Sequence, residues 1–157
     1  MENVKAIVKQ VVKIWGLYKT QQLVLTVAMR EEIPFQLRKL LSRDYMICSL
    51  LKKEIANFYD ALRCCMGDAC IMRPERNTSI AVDAAGGVGV ALGKIVGVHQ
   101  QIIAEYGTLL GMVEGSNINT AIIHQHRKQM DKMNEELATQ SEGLQPEENE
   151  QQYALSH

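Results

Sequence analysis

The sequence predicts an all-α fold: a single-domain bundle of five to six helices. Three observations carry that expectation. Apolar residues recur at three- and four-residue intervals over most of residues 3–138. Strand signals are nearly absent, with no Asn-Gly or Asp-Gly hairpin turn and no sustained alternation. Eight of the eleven glycines fall between Gly86 and Gly115, most of them four residues apart. At 157 residues the chain suffices for one domain that buries a core without disulfide or metal staples.

Residues 3–18 read as an amphipathic helix. Val4, Ile7, Val8, Val11, Ile14, Trp15 and Tyr18 share one side, and Lys5, Lys9 and Lys13 form a row on the other. Gly16 marks a break or bend, and Leu23–Met29 reads as a second short helix ended by Pro34. From Phe35 to Met66 the stripe holds Leu37, Leu40, Leu41, Met46, Ile47, Leu50, Leu51, Ile55, Phe58, Tyr59, Leu62 and Met66, and Asp44 is a candidate cap dividing the run in two. Gly67–Asn77 reads as a loop. Asn77 or Thr78 caps a long Gly-rich helix, or a helix pair, at 79–114, with Tyr106-Gly107 as the point of division. A last helix covers 119–138. The bundle domain is expected to span residues 1–139, and the polar, acidic residues 140–157 are expected to form a disordered tail.

The glycines are the most informative pattern. Gly89, Gly93 and Gly97 form one row, and Gly107, Gly111 and Gly115 form another. Each glycine inside a helix costs about 0.8–1.0 kcal/mol relative to alanine, so close backbone contact is expected to offset the cost. That contact is either with helices of the same chain or with a second copy. Ile80-Ala81 and the glycines of 86–97 resemble the small-residue helices of apolipoprotein-L-type proteins, which are rich in Gly and Ala and associate with membranes. That family's long uncharged hairpin has no counterpart here, and none of its residues is carried over. The longest uncharged stretches near the glycines, 84–93 and 95–104, are divided by Lys94, and a simple membrane span needs about 18–20 apolar residues.

Net charge is −1, but its distribution is uneven: residues 1–63 carry an excess of five positive charges and residues 128–157 an excess of five negative ones. A basic front can meet an anionic membrane or nucleic acid, or the acidic tail itself. Lysines inside the first apolar pattern do not fit a signal peptide. Cys48, Cys64, Cys65 and Cys70 are therefore expected as free thiols in the cytoplasm, or at the cytosolic face of a membrane. Adjacent Cys64 and Cys65 point about 100° apart on a helix and make a poor zinc pair, so no metal and no cofactor is expected. Gly86-Gly87-Val88-Gly89 follows no strand, and Gly93-Lys94 is followed by Ile95 in place of Ser or Thr, so no phosphate loop is read. No nucleophile–base pair or paired-carboxylate spacing stands out. No catalytic residue is assigned, and an enzyme is not expected.

The reading is a non-enzymatic, self-associating helical scaffold. Its candidate interface is Gly89, Gly93, Gly97, Gly107, Gly111 and Gly115, with itself or another helical protein as partner. Lys5, Lys9, Lys13 and Trp15 are its candidate contact with an anionic membrane. Alternatives are a nucleic-acid-coating or virus matrix-like structural protein using Arg38, Lys39, Arg43, Lys52 and Lys53, and a soluble protein-interaction module.

Overall fold

The computed structural model describes the backbone of residues 2–66 and 73–155; the side chains of 1–3, 65–72, 81 and 141–157 lie outside the described set. Five helices and no strand occur among the described residues: α1 (Glu2–Met29), α2 (Phe35–Met66), α3 (Thr78–Ala84), α4 (Val88–Val113) and α5 (Ala121–Leu155). No helix there is long and apolar enough to cross a membrane.

The four long helices form a bundle. α1 packs against α2 and α4, and α5 packs against α4 and α2, leaving α2 and α4 on one diagonal without backbone contact. Bridging side chains set the directions. Gln22 meets Ser49 while Trp15 meets Tyr59, so α1 and α2 run antiparallel. Gln10 meets Glu105 while Gln21 meets Ile95, so α4 also opposes α1. Helices α2 and α4 are thus parallel, and the chain returns from the end of α2 to the start of α4 by a long crossover, as some four-helix bundles do.

Gly16 serves that crossover. It does not break α1, which runs unbroken from Glu2 to Met29. A Cβ at Gly16 would lie 2.4 Å from the Glu75 carbonyl oxygen, so only glycine lets segment 73–77 cross the helix at this point. Thr20, one turn on, accepts a hydrogen bond from the Asn77 N–H at 2.8 Å. Asn77 then caps α3 as expected, its side-chain oxygen accepting from the N–H groups of Ser79 and Ile80.

Three further boundaries differ from the sequence expectation. Asp44 does not divide α2; it lies fully buried inside one 32-residue helix. The Gly-rich region is a helix pair, but it divides at residues 85–87, where Gly87 takes φ +127°, and it runs through Tyr106-Gly107 without interruption. α5 continues to Leu155, past the domain boundary expected at residue 139 and into the region expected to form a disordered tail. Its buried face ends at Leu137 among the described side chains. Of the Gly67–Asn77 loop, residues 67–72 lie outside the described set and 73–77 are irregular.

The core is aliphatic, as the composition predicts. Ile7, Val11, Ile14, Leu25, Leu41, Ile55, Ile95, Ile102, Leu109 and Ile123 are all buried. Each contributes about 1.5–3 kcal/mol relative to exposure. α1 is the most enclosed helix, because α3 and the crossover cover the side left free by α2 and α4.

Candidate functional site

The bundle carries two polar clusters in its interior and one small-residue face on its exterior. The first cluster spans the diagonal. Asp44 and Cys48, four residues apart on α2, project from the same face, and His99 of α4 comes to meet them. All three are buried, with Asp44, Cys48 and His99 each 0% exposed. His99 Nε2 lies 3.1 Å from Asp44 Oδ1 and 3.0 Å from Oδ2, and the Cys48 thiol lies 3.4 Å from Oδ1. Asp44 Oδ2 and His99 Nδ1 have no hydrogen-bond partner of acceptable geometry. Unmet buried polar groups of this kind cost about 1–3 kcal/mol each. Burial pushes the Cys48 thiol pKa well up, reinforced by the Asp44 carboxylate and opposed weakly by Lys52.

The second cluster touches all four long helices. Glu54 of α2 pairs with His126 Nε2 of α5; His126 Nδ1 lies 2.8 Å from the Tyr106 hydroxyl of α4; and Tyr106 lies 2.6 Å from the Tyr18 hydroxyl of α1. One set of proton positions satisfies the whole chain. Neutral His126 carries its proton on Nε2 and donates to Glu54, Tyr106 donates to Nδ1, and Tyr18 donates to Tyr106. Burial lowers the His126 pKa, partly offset by the hydrogen bond and charge of Glu54. Burial likewise raises both tyrosines far above their ordinary value. The rings reinforce the arrangement, with Tyr106 edge-on to both Tyr18 and His126. Because each member comes from a different helix, the chain favours one relative register of the four.

The surface clefts are lined by other residues. One, about 1020 Å³, lies between the start of α2 and α5 and is bordered by Phe35, Lys39, Met46 and Glu136. A second, about 380 Å³, is bordered by Lys19, Lys52 and Arg76.

The glycine rows point outward. Gly89, Gly93, Gly97 and Gly111 are exposed, and an added Cβ at Gly93, Gly97 or Gly111 would meet nothing within 4 Å. At Gly93, Gly97 and Gly111, therefore, no other helix of the same chain packs into the space of the missing side chain. Gly107 faces Arg127, whose guanidinium would lie 3.6 Å from an added Cβ. Gly115 lies beyond the helix at φ +79°, a left-handed position that suits glycine at a helix terminus. Val90, Gln100, Gln101, Ala104 and Thr108 complete the exposed face, which Lys94 borders on one side and Arg127, over Gly107, on the other.

Of the basic candidates, Arg38, Lys39 and Arg43 line the cleft between the start of α2 and α5 together, and Lys13 and Lys52 are engaged within the chain. Lys5 and Lys9 are exposed, while Lys13 pairs with Glu105 at 3.0 Å. Trp15 is half-buried against Tyr59, with Lys19 over its ring, and the apolar side of α1 is consumed by the core. Among the α2 cations, Arg38 donates to the Met29 and Glu31 carbonyls at the end of α1, Arg43 pairs with Glu136, and Lys52 donates to Gln22. Lys39 and Lys53 remain as exposed cations. Cys64 is exposed, and the side chains of Cys65 and Cys70 lie outside the described set.

The interior clusters were missed by sequence reasoning. The available signal was polar residues on apolar stripes: Asp44 between Leu41 and Cys48, His99 between Ile95 and Ile102, and His126 between Ile123 and Met130. No family model, curated protein or solved structure matches the chain.

Proposed function

We propose that this chain is a non-enzymatic helical scaffold that self-associates through the outward face of α4. The observation that carries the reading is open space over Gly93, Gly97 and Gly111 in the middle of a 26-residue helix. Five glycines inside α4 cost the helix about 4–5 kcal/mol relative to alanine, and no neighbour within the chain makes use of the missing side chains at those three. A second helix laid on the face gains from their absence by close backbone approach along about 33 Å, the length of residues 89–111. The exposed side chains between the glycines are uncharged, and the formal charges nearest to them, Lys94 and Arg127, lie at the borders of the face.

A non-catalytic role is favoured by the placement of the titratable groups. No residue of the two clusters lines either described cleft, and substrate access normally needs a concave opening. In this reading any contact with an anionic membrane is electrostatic, through Lys5 and Lys9, at about 1 kcal/mol per residue. The free thiols of Cys48 and Cys64 suit a reducing compartment such as the cytoplasm.

Sedimentation velocity over a wide concentration range tests the proposal. Wild type is expected to form dimers or larger species, and Gly97→Leu to remain a folded monomer at the same concentrations. A wild-type protein that stays monomeric throughout sinks the reading.

A further inference from the structure

We propose that Asp44, Cys48 and His99 form a binding site for a zinc-type divalent cation, joining α2 to α4 across the bundle diagonal. The donor set is the first argument. One carboxylate oxygen, one sulfur and one imidazole nitrogen all lie within 4.8 Å of one another, and all three residues are buried. Oxygen, sulfur and nitrogen donors together suit zinc and its close substitute cobalt(II).

Geometry is the second argument. Zinc bonds of about 2.0–2.1 Å to nitrogen and oxygen and about 2.3 Å to sulfur, at tetrahedral angles, place neighbouring donors about 3.3 Å (N···O) and about 3.5 Å (S···O) apart. The observed separations are 3.1 Å for His99 Nε2 to Asp44 Oδ1 and 3.4 Å for Cys48 Sγ to the same oxygen. For these two pairs adjustments of a few tenths of an ångström suffice, and the third, His99 Nε2 to Cys48 Sγ, lies within 4.8 Å and closes to about 3.6 Å on a tetrahedral ion. Two donors come from successive turns of one helix and the third from the helix facing it, the arrangement by which bundle cores hold ions.

Charge is the third argument. A dication bound by the Asp44 carboxylate, the Cys48 thiolate and neutral His99 makes a site of zero net charge, which a buried position tolerates. The Cys48 thiol proton leaves to solvent as the sulfur binds, and a water occupies the fourth position. Hydrogen bonding among the three residues leaves Asp44 Oδ2 and His99 Nδ1 without partners. The ion gives the carboxylate a counter-charge; Nδ1 keeps its proton without an acceptor, so the site is about 10–100-fold weaker than one whose histidine is oriented by a second partner.

Cobalt(II) titration of the reduced, chelator-treated full-length protein tests the site. One equivalent is expected to produce a thiolate-to-cobalt charge-transfer band and tetrahedral d–d bands, both removed by one equivalent of zinc. The bands are expected to vanish in Cys48→Ser and to persist in the triple variant Cys64→Ser/Cys65→Ser/Cys70→Ser, with far-ultraviolet circular dichroism checking each fold. Should Cys48→Ser fail to fold, zinc is expected to raise the urea midpoint of both wild type and the triple variant. A folded wild type showing no charge-transfer band with excess cobalt overturns the proposal. So do bands that survive Cys48→Ser or disappear in the triple variant, or urea midpoints that zinc leaves unchanged.

Discussion

Alanine at Gly93 and Gly97 together is expected to stabilise the isolated chain. Both positions lie inside α4, both are exposed, and an added Cβ at either meets nothing within 4 Å. No packing term therefore opposes the gain in helix propensity. Each substitution is worth about 0.8–1.0 kcal/mol, so the pair contributes about 1.6–2 kcal/mol. For a chain of this size, each kcal/mol raises the melting temperature by about 2–4 °C, giving a rise of about 3–8 °C for the double variant. Urea denaturation and thermal melts in dilute solution read the effect without contribution from association. Sedimentation at high concentration reads the opposite one, because two methyl groups hold a partner backbone away from the face. The double variant should thus be more stable as a monomer and weaker as an oligomer. A dilute double variant less stable than wild type would refute the reasoning, since the face would then be packed against its own chain.

Gly16→Ala is expected to act in the opposite direction although it also lies in a helix. Its Cβ would meet the Glu75 carbonyl oxygen at 2.4 Å, and an overpacking cost of about 1–3 kcal/mol opposes the propensity gain of about 1 kcal/mol. A lower urea midpoint checks it. Tyr106→Phe should destabilise more than Tyr18→Phe. The first leaves both the Tyr18 hydroxyl and His126 Nδ1 unmet, at about 1–3 kcal/mol each, whereas the second removes only the terminal donor. Equal urea midpoints for the two variants would contradict the inferred chain of donors. The lowered His126 pKa sets a pH dependence. Between its folded value and about 6.5 the unfolded chain binds the additional proton, so stability is full above about pH 6.5 and falls as pH drops through that window. Chemical denaturation from neutral to mildly acid pH should show the decline, and His126→Gln should flatten it.

Much of the fold was legible because its causes are local. Helical periodicity depends on residues a few positions apart, and it marked four long apolar stripes and the paucity of strands. Asn77 was readable as a cap because its side chain satisfies N–H groups only two and three residues away. Gly16 and Asp44 looked like local punctuation, but each has a distant reason. Gly16 admits the crossover at Glu75, and Asp44 meets His99 on another helix.

The glycine rows divide the same way. Spacing alone placed Gly89, Gly93 and Gly97 in one row and Gly107 and Gly111 in another, at a known propensity cost, and left open whether one helix carries both. Whether the rows turned inward or outward depended on the bundle, which buried Ile95, His99, Ile102 and Tyr106 and left Gly93, Gly97 and Gly111 uncovered. The interior clusters were decided by tertiary structure for a related reason. A helical pattern places a residue on a face of its own helix, but it carries no information about which residue of another helix lies opposite. That pairing is set by the direction and register of whole helices, through many weak apolar contacts summed over the core.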